Sequence, residues 1–310
     1  MISIIISAHN EEKNIKNILD DVIKEINLLG EDSELFLGLS ACTDRTEEIA
    51  IDTIKKYDLK SMVVKTPLGK INSQKIILKL VNKKSWGILF LDCDVRLKKY
   101  AIRNIVADAK KYQKVKMFYT KEIPLPRKSV FYNIINVRTL NQGYVIAKEE
   151  VSDFHLYSKD KTKKIFATGG MCLIRRGIYD VDGKTIGDDS YLTHSVYYRF
   201  GIGTIKQTEN AIVYYQPVYT FRSWIKKWKR IWSDINNLYS YHPEFKYLEK
   251  YMKLKIDFKR LIKERKIKLI IYFSLERAWN NIGGFVFIKF PLNKESKWDQ
   301  LKDTKEVMLK

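Results

Sequence analysis

The sequence predicts an α/β fold with a mostly parallel, mixed sheet flanked by helices, and three observations carry that reading. Short β-rich apolar runs alternate with helical patterns over the first 120 residues. Each run is followed by a helix long enough to be the crossover that a parallel return requires. The runs end in polar loops, and in such a sheet those loops gather at the carboxyl edge, where ligands bind.

Taken in order, the expected elements are a strand over Ile2 to Ala8 and a helix over Glu11 to Leu28, then a strand over Glu34 to Leu39 and a helix over Arg45 to Tyr57. A strand over Met62 to Lys65 precedes a helix over Ile71 to Val81, and a strand over Ile88 to Leu91 precedes a helix over Tyr100 to Tyr112. The ligand edge is therefore made of His9-Asn10-Glu11-Glu12, Ser40-Ala41-Cys42-Thr43-Asp44, Thr66-Pro67-Leu68-Gly69-Lys70 and Asp92-Cys93-Asp94. Beyond Thr120 the alternation stops: Pro124 and Pro126 mark a loop, and a mixed helical stretch covers about Val130 to Ala147. A second β-rich piece over Phe166 to Ile174 leads to Gly187-Asp188-Asp189, which opens a helix, and a further helical stretch starts at Tyr219. The expected organisation is one domain over 1–235, with halves 1–120 and 121–235, and a basic, mainly helical extension over 236–310.

Composition is that of a globular chain, 45% hydrophobic and 30% charged with 14 Gly and 6 Pro, which argues against disorder over most of it. Three separated cysteines, Cys42, Cys93 and Cys172, suggest neither a disulfide framework nor a structural zinc site and fit a cytoplasmic location. The N-terminus runs straight into Ile2-Ser3-Ile4-Ile5-Ile6, which reads as a strand and not a signal peptide. Fifty-seven Lys and Arg against 36 Asp and Glu give +21, implying a polyanionic partner or surface. Positions 220–268 hold 15 basic and 5 acidic residues, so the excess is concentrated in a patch.

Asp92 and Asp94 place two hard oxygen ligands directly after the apolar run Gly87-Ile88-Leu89-Phe90-Leu91. Two carboxylates on so short a segment repel unless a cation or a hydrogen-bond network lies between them, and the pair suits Mg²⁺ or Mn²⁺ sharing its shell with substrate phosphates. The plainer reading is a cap and a surface charge. Gly69-Lys70 opens a helix where an anion can meet free N–H groups, or else is a turn glycine with a solvated lysine. Asp188-Asp189 is either an N-cap or the source of a general base. Gly169-Gly170 allows close backbone approach to a ligand or to a neighbouring strand.

Residues 221–235 separate on a helical wheel into Phe221, Trp224, Ile225, Trp228, Ile231, Trp232 and Ile235 on one side and Lys226, Lys227, Arg230 and Asp234 on the other. This is the make-up of an interfacial helix at an anionic bilayer and equally of a core-facing helix. Lys227 and Arg230 can also face a diphosphate. Ile267 to Phe290 is interrupted by Glu276, Arg277, Asn280 and Asn281, so it is too short in apolar run for the ~20 residues of a membrane span. His9, His155, His194 and His242 form no metal-binding pair in sequence, and only His9 falls on the ligand edge.

Taken together, the order of these pieces resembles the family-two glycosyltransferases, inverting nucleotide-sugar enzymes of the GT-A fold. "SIIISAHNEEKNI" looks like their first strand and loop, "SACTDRTEEIA" the second, "PLGK" the third and "FLDCDV" their DxD motif. "ATGGMCLIRR" resembles the acceptor-side Gly-Gly strand, "GDDSYLTHSV" the Glu-Asp motif and "KWKRI" the Gln-x-x-Arg-Trp motif. The resemblance implies a GT-A-like, Rossmann-type nucleotide-binding sheet. It also implies nucleotide-sugar contacts from Ala8, His9, Asn10, Glu11, Glu12, Ser40, Asp44, Gly69, Lys70, Asp92 and Cys93. Asp94, with Asp92, would ligate the metal; Asp189 matches the catalytic base, with Asp188 where Glu is usual. Gly169, Gly170, Lys227 and Arg230 would serve the acceptor or the diphosphate. Lys227 stands in place of the motif glutamine, Ile231 in place of the tryptophan, and the base-reading acidic position falls on Leu39 or Ser40.

The function so implied is a metal-dependent inverting transfer of a sugar from a nucleotide-diphospho-sugar to an acceptor hydroxyl, on a glycan or lipid-linked acceptor, with peripheral contact to the cytoplasmic membrane face. Two alternatives stand beside it: a polyanion- or nucleic-acid-binding protein, argued from the basic patch, and a pseudoenzyme that binds nucleotide sugars without turnover.

Overall fold

In the computed structural model, residues 1–125, 155–156, 167–179, 185, 187–218, 220–249, 255–256, 258–265 and a few isolated positions up to 278 are described. Strand β1 (Ile2–Ala8) is buried along its whole length, as expected of an apolar run covered on both faces of a sheet. Helix α1 (Ile15–Asn27) buries Ile15, Ile18, Leu19, Val22 and Ile23, the spacing of a single helical face. There follow β2 (Ser33–Ser40), α2 (Thr46–Ile54), β3 (Ser61–Thr66), α3 (Lys70–Leu78) and β4 (Gly87–Asp92). Then come β5 (Val95–Leu97), α4 (Ala101–Lys111), β6 (Met117–Pro124), the short β7 (His155–Leu156) and β8 (Met171–Arg175). There follow α5 (Asp188–Phe200), β9 (Ile205–Tyr215), α6 (Phe221–Tyr241), a 3-10 helix over Pro243–Leu248, β10 (Lys255–Ile256) and α7 (Phe258–Lys263).

Eight strands form one mixed sheet in the order β3-β2-β1-β4-β8-β6-β9-β5. The four expected strands pair in parallel, with Ser7 of β1 level with Gly38 of β2 and Asp92 of β4. β1 lies between β2 and β4, so the chain winds to either side of it and opens a crevice at the carboxyl ends of β1 and β4. Beyond β4 the sheet turns antiparallel: β8 pairs with both β4 and β6, and β9 with β5. β5, β6 and β9 were not expected from the sequence. β5 is too short to show a period, and β9 carries Lys206, Gln207, Glu209 and Asn210 in its first half, with two of these exposed.

Helix α3 lies directly over β2. A Cβ on Gly38 would fall 1.9 Å from Ser73 Oγ and 2.8 Å from Ile77 Cδ1, so only glycine admits this approach. Two buried carboxylates of α1 hold the far corner. Asp21 receives Arg96 at 2.6 and 2.9 Å and the Leu97 amide at 3.1 Å, while Glu25 receives the amides of Tyr100 at 2.5 Å and Ile102 at 3.0 Å at the start of α4.

The described residues fall into two compact units, one from Met1–Glu122 with Ala167–Gln216, the other from the described parts of Ile123–Phe166 and Pro217–Thr304. In the second unit, the Thr220 hydroxyl caps α6 by accepting from the Ser223 amide, and β7 pairs with β10. The expected helix over 130–147 and most of 267–290 lie outside the described residues. Among the described residues no helix is long and apolar enough to cross a membrane.

Candidate active site

β4 ends on Asp92 and the chain turns at Cys93-Asp94, with Cys93 buried in the core and Asp92 and Asp94 partly buried. The Asp92 amide donates to the carbonyl of Gly170 at 3.0 Å, which seats the Gly169-Gly170 turn beside it.

The first two loops are tied to each other. Asn10, at φ 52°, accepts from the Thr43 amide at 2.8 Å, and Asp44 accepts from the Thr46 amide at 3.0 Å and the Glu12 amide at 3.2 Å. Asp44 therefore starts α2 and staples the first loop to the second. Glu11 is buried in the turn before α1, its carbonyl accepting from the Ile15 amide at 2.8 Å and its side chain from Asn14 at 2.9 Å. His9 Nδ1 meets the Ser40 carbonyl at 2.6 Å; since a carbonyl only accepts, that nitrogen carries the proton. The Ser40 hydroxyl donates to the Pro67 carbonyl at 3.0 Å and accepts from the Gly69 amide at 2.8 Å, which shapes the third loop. Gly69 itself sits at φ 123°, a conformation that favours glycine.

That turn delivers Lys70 to the centre of the crevice. Its ammonium lies 2.5 Å from Asp92 Oδ1 and 2.8 Å from Asp188 Oδ2, bridging the end of β4 and the start of α5. Gln74, one turn further along α3, donates to Asp188 Oδ2 at 2.9 Å, and the Tyr179 hydroxyl donates to Gln74 Oε1. Asp189, next in the helix, accepts from the Ser190 amide at 2.8 Å. A Cβ on Gly169 would lie 3.7 Å from both Asp189 Oδ2 and Asp92 Oδ2, so these two oxygens are no more than twice that distance apart. Asp92, Asp188, Asp189, Lys70 and Gly169 thus meet in one crevice.

Electrostatics follow from this crowding. Burial raises the Asp92 carboxyl to about 8, against the pull of Lys70 and with Asp94 and Asp188 adding to the rise. Burial would raise Asp188 as well, but Lys70 and the Gln74 amide hold it below the ordinary carboxylate value. Burial disfavours the Lys70 ammonium, yet its two carboxylate neighbours raise it well above the usual lysine value. Among the described residues no three His, Cys, Asp or Glu side chains converge into an all-protein metal cage. Two carboxylates at a strand end fit Mg²⁺ or Mn²⁺, ions that keep waters and take phosphate oxygens to complete their shells.

Lys227 and Arg230 belong to α6 in the second unit. Three residues of the crevice were not singled out from the sequence. Gln74 was signalled by its i, i+4 spacing from Lys70 on a helix starting at the ligand edge. Glu122, whose Oε1 accepts from the Gly170 amide at 2.9 Å, and Tyr179 carried no such signal, because their strand and loop contacts are long-range.

The model of the family described as glycosyl transferase family 2 matches residues 3–182. No curated protein sequence matches the chain. Among solved structures, a mannosyltransferase from Pyrobaculum calidifontis in complex with GDP-Man and Mn²⁺ is similar at TM-score 0.55 and 14% identity, over 78% of this chain and 64% of that one. This chain thus spans less than two thirds of the length of that protein. Glucosyl-3-phosphoglycerate synthase from Mycobacterium tuberculosis, in complex with Mn²⁺, UDP and phosphoglyceric acid, is similar at TM-score 0.50 and 17% identity over 77% and 78% of the two chains. TarS 1-349 from S. aureus is similar at TM-score 0.50 and 15% identity over 96% and 77%. These likenesses are of fold, and they agree with the mixed sheet described above. With the family model covering more than half of its length, the chain belongs to glycosyl transferase family 2.

Proposed function

We propose that the chain is a metal-dependent inverting glycosyltransferase that moves a sugar from a nucleotide-diphospho-sugar to an acceptor hydroxyl, and that residues 1–235 carry this activity. The observation that supports it is the meeting of Asp92 and Asp189 at Gly169: an oxygen of the acid that ends β4 and an oxygen of the acid near the start of α5 each lie 3.7 Å from where a Cβ on that glycine would fall. In this reading Asp188, held by Lys70 and Gln74, is the weaker base, and Asp189 takes the proton. In the proposed step Asp189 removes the proton of the acceptor hydroxyl while the oxygen attacks the anomeric carbon from the face opposite the diphosphate. The bond from that carbon to the diphosphate oxygen breaks, its electron pair leaves with the nucleoside diphosphate, and the anomeric configuration inverts. Mn²⁺ or Mg²⁺ held by Asp94 and Asp92 would neutralise charge on the departing diphosphate. Lys70 exchanges a carboxylate partner for a diphosphate oxygen, and the His9 to Glu12 and Ser40 to Asp44 loops, stapled together, wall the nucleotide. The acceptor is a glycan or a lipid-linked glycan, with α6 lying against an anionic membrane surface through its basic and Trp-rich sides.

The test is a thermal-shift panel of nucleoside diphosphates and their sugars, with and without Mn²⁺, on wild type and Asp94→Ala. Metal-dependent stabilisation by one nucleotide, lost in Asp94→Ala, is expected. Indifference to every nucleotide, with tight and salt-sensitive binding of an oligonucleotide, would overturn the reading in favour of a polyanion binder.

A further inference from the structure

Lys70 cannot hold Asp188 throughout a transfer reaction if the donor draws its ammonium away, so something else has to fix the start of α5. Gln74 does this with an uncharged contact. It is 1% exposed and donates Nε2–H to Asp188 Oδ2 at 2.9 Å. An amide is nearly symmetric in shape, and a flipped Gln74 would turn its own oxygen toward the carboxylate. The Asp188 carboxylate only accepts, so it faces the Nε2–H end of the amide, and the Tyr179 hydroxyl donates to Oε1 at the other end and pins the amide there. The tyrosine is fixed in turn: its ring packs on Phe90, with centroids 4.7 Å apart, two residues before Asp92 on β4. Gln74 is fixed through α3, which the close approach at Gly38 seats on β2.

We propose that Gln74 and Tyr179 are positioning residues for the transfer step: the tyrosine hydroxyl pins the Gln74 amide, and the amide anchors Asp188 so that Asp189 stays beside Asp92 at Gly169. This rests on the transferase reading above. Both residues act through Asp188 and touch neither donor nor acceptor. Their loss therefore lowers turnover while leaving donor binding in place, since small misplacement of a reacting group costs rate far more than affinity.

The test uses the full chain with UDP-glucose or GDP-mannose, whichever stabilises the wild type, and reads release of the nucleoside diphosphate with water as the acceptor. Tyr179→Phe keeps the ring on Phe90 and removes only the hydroxyl; Gln74→Leu removes the amide. The expected result is a fall in kcat of about tenfold or more in each, with donor Kd within about twofold of wild type, and no additional fall in the double variant. Gln74→Glu, which sets a second carboxylate against Asp188, should be the slowest. Folded Tyr179→Phe and Gln74→Leu proteins with wild-type kcat, or effects that multiply in the double variant, would overturn the inference. A wild type that turns over neither donor would instead count against the transferase reading. In that case the unfolding midpoints of Tyr179→Phe, Asp188→Ala and their double variant decide the anchoring: independent shifts would overturn it, and coupled shifts would support it.

Discussion

Replacing Lys70 with methionine tests the electrostatic description of the crevice most directly. The substitution keeps the aliphatic stem and removes an ammonium that lies 2.5 Å from Asp92 and 2.8 Å from Asp188. Asp92 is already raised to about 8 by burial, so the main change falls on Asp188, which Lys70 holds down. Without it, burial dominates and Asp188 protonates instead of remaining an unpaired buried charge. Protonation sets the ceiling on the cost. A carboxyl with an unfolded value of ~3.9 costs about 4 kcal/mol to keep neutral at pH 7 and about 1.5 kcal/mol at pH 5. The sign follows from the depressed value in the wild type: Asp188 contributes stability above its unfolded value, and that contribution is lost as pH falls through the folded one. Lys70→Met should therefore lose the most stability at pH 7 and progressively less toward pH 4. Urea unfolding of both proteins at pH 5, 6 and 7, without metal or nucleotide, measures this. A loss that is the same at all three, or below about 1 kcal/mol at pH 7, would refute the bridge as the group that holds Asp188 ionised.

Three further outcomes are expected. Gly38→Ala should cost about 1–3 kcal/mol in denaturant unfolding, since its Cβ would fall 1.9 Å from Ser73 Oγ and force α3 off the sheet. Asp189→Asn should keep donor affinity and lose transfer by roughly 100-fold or more, read as nucleoside diphosphate release; retained transfer would make another residue the base. His194, fully buried and with its Nδ1 against the Ser190 carbonyl at 2.7 Å, is lowered below the usual histidine value by burial. Its stabilisation is present above ~6.5 and lost as pH falls through the folded value, so His194→Gln should flatten the acid limb of the stability curve below pH 6.5.

The parallel half of the sheet was legible because its strands are buried on both faces and announce themselves as unbroken apolar runs, as Ile2–Ala8 does. In the antiparallel half β8 was expected from the β-rich piece over Phe166 to Ile174, but β5 has three residues and β9 alternates weakly, so neither carries a period to read. In the crevice, the residues that could be named lie on loops fixed by local chain signals, namely Asp92 and Asp94 after β4, Gly69-Lys70 opening α3, and Asp188-Asp189 opening α5. What those signals could not supply is which neighbour each residue meets. Asp44, Glu11 and Ser40 were expected at a nucleotide, and each makes hydrogen bonds that build the loops themselves. Lys70 was expected at the nucleotide and lies between two carboxylates from positions 22 and 118 residues further along the chain. Contacts of that separation leave no trace in local pattern.

α3 explains why the crevice holds together. Its Lys70, Gln74 and Ile77 follow at i, i+4 and i+7, so they share one face, and that face is pressed on β2 at Gly38. Ile77 supplies the apolar contact, fully buried; Lys70 and Gln74, at the end nearer the strand termini, reach Asp92 and Asp188. Apolar packing at one end of the helix therefore fixes the polar groups at the other. Asp188 opens α5, and Asp92 closes β4. A single helix face thus sets the distance between the acid that ends β4 and the acids that begin α5. A change at Gly38, about one helical turn below the chemistry, should then act on turnover as well as on stability. Glycine at that position is required by the geometry of the crevice and not by the conformation of β2, which any residue can adopt.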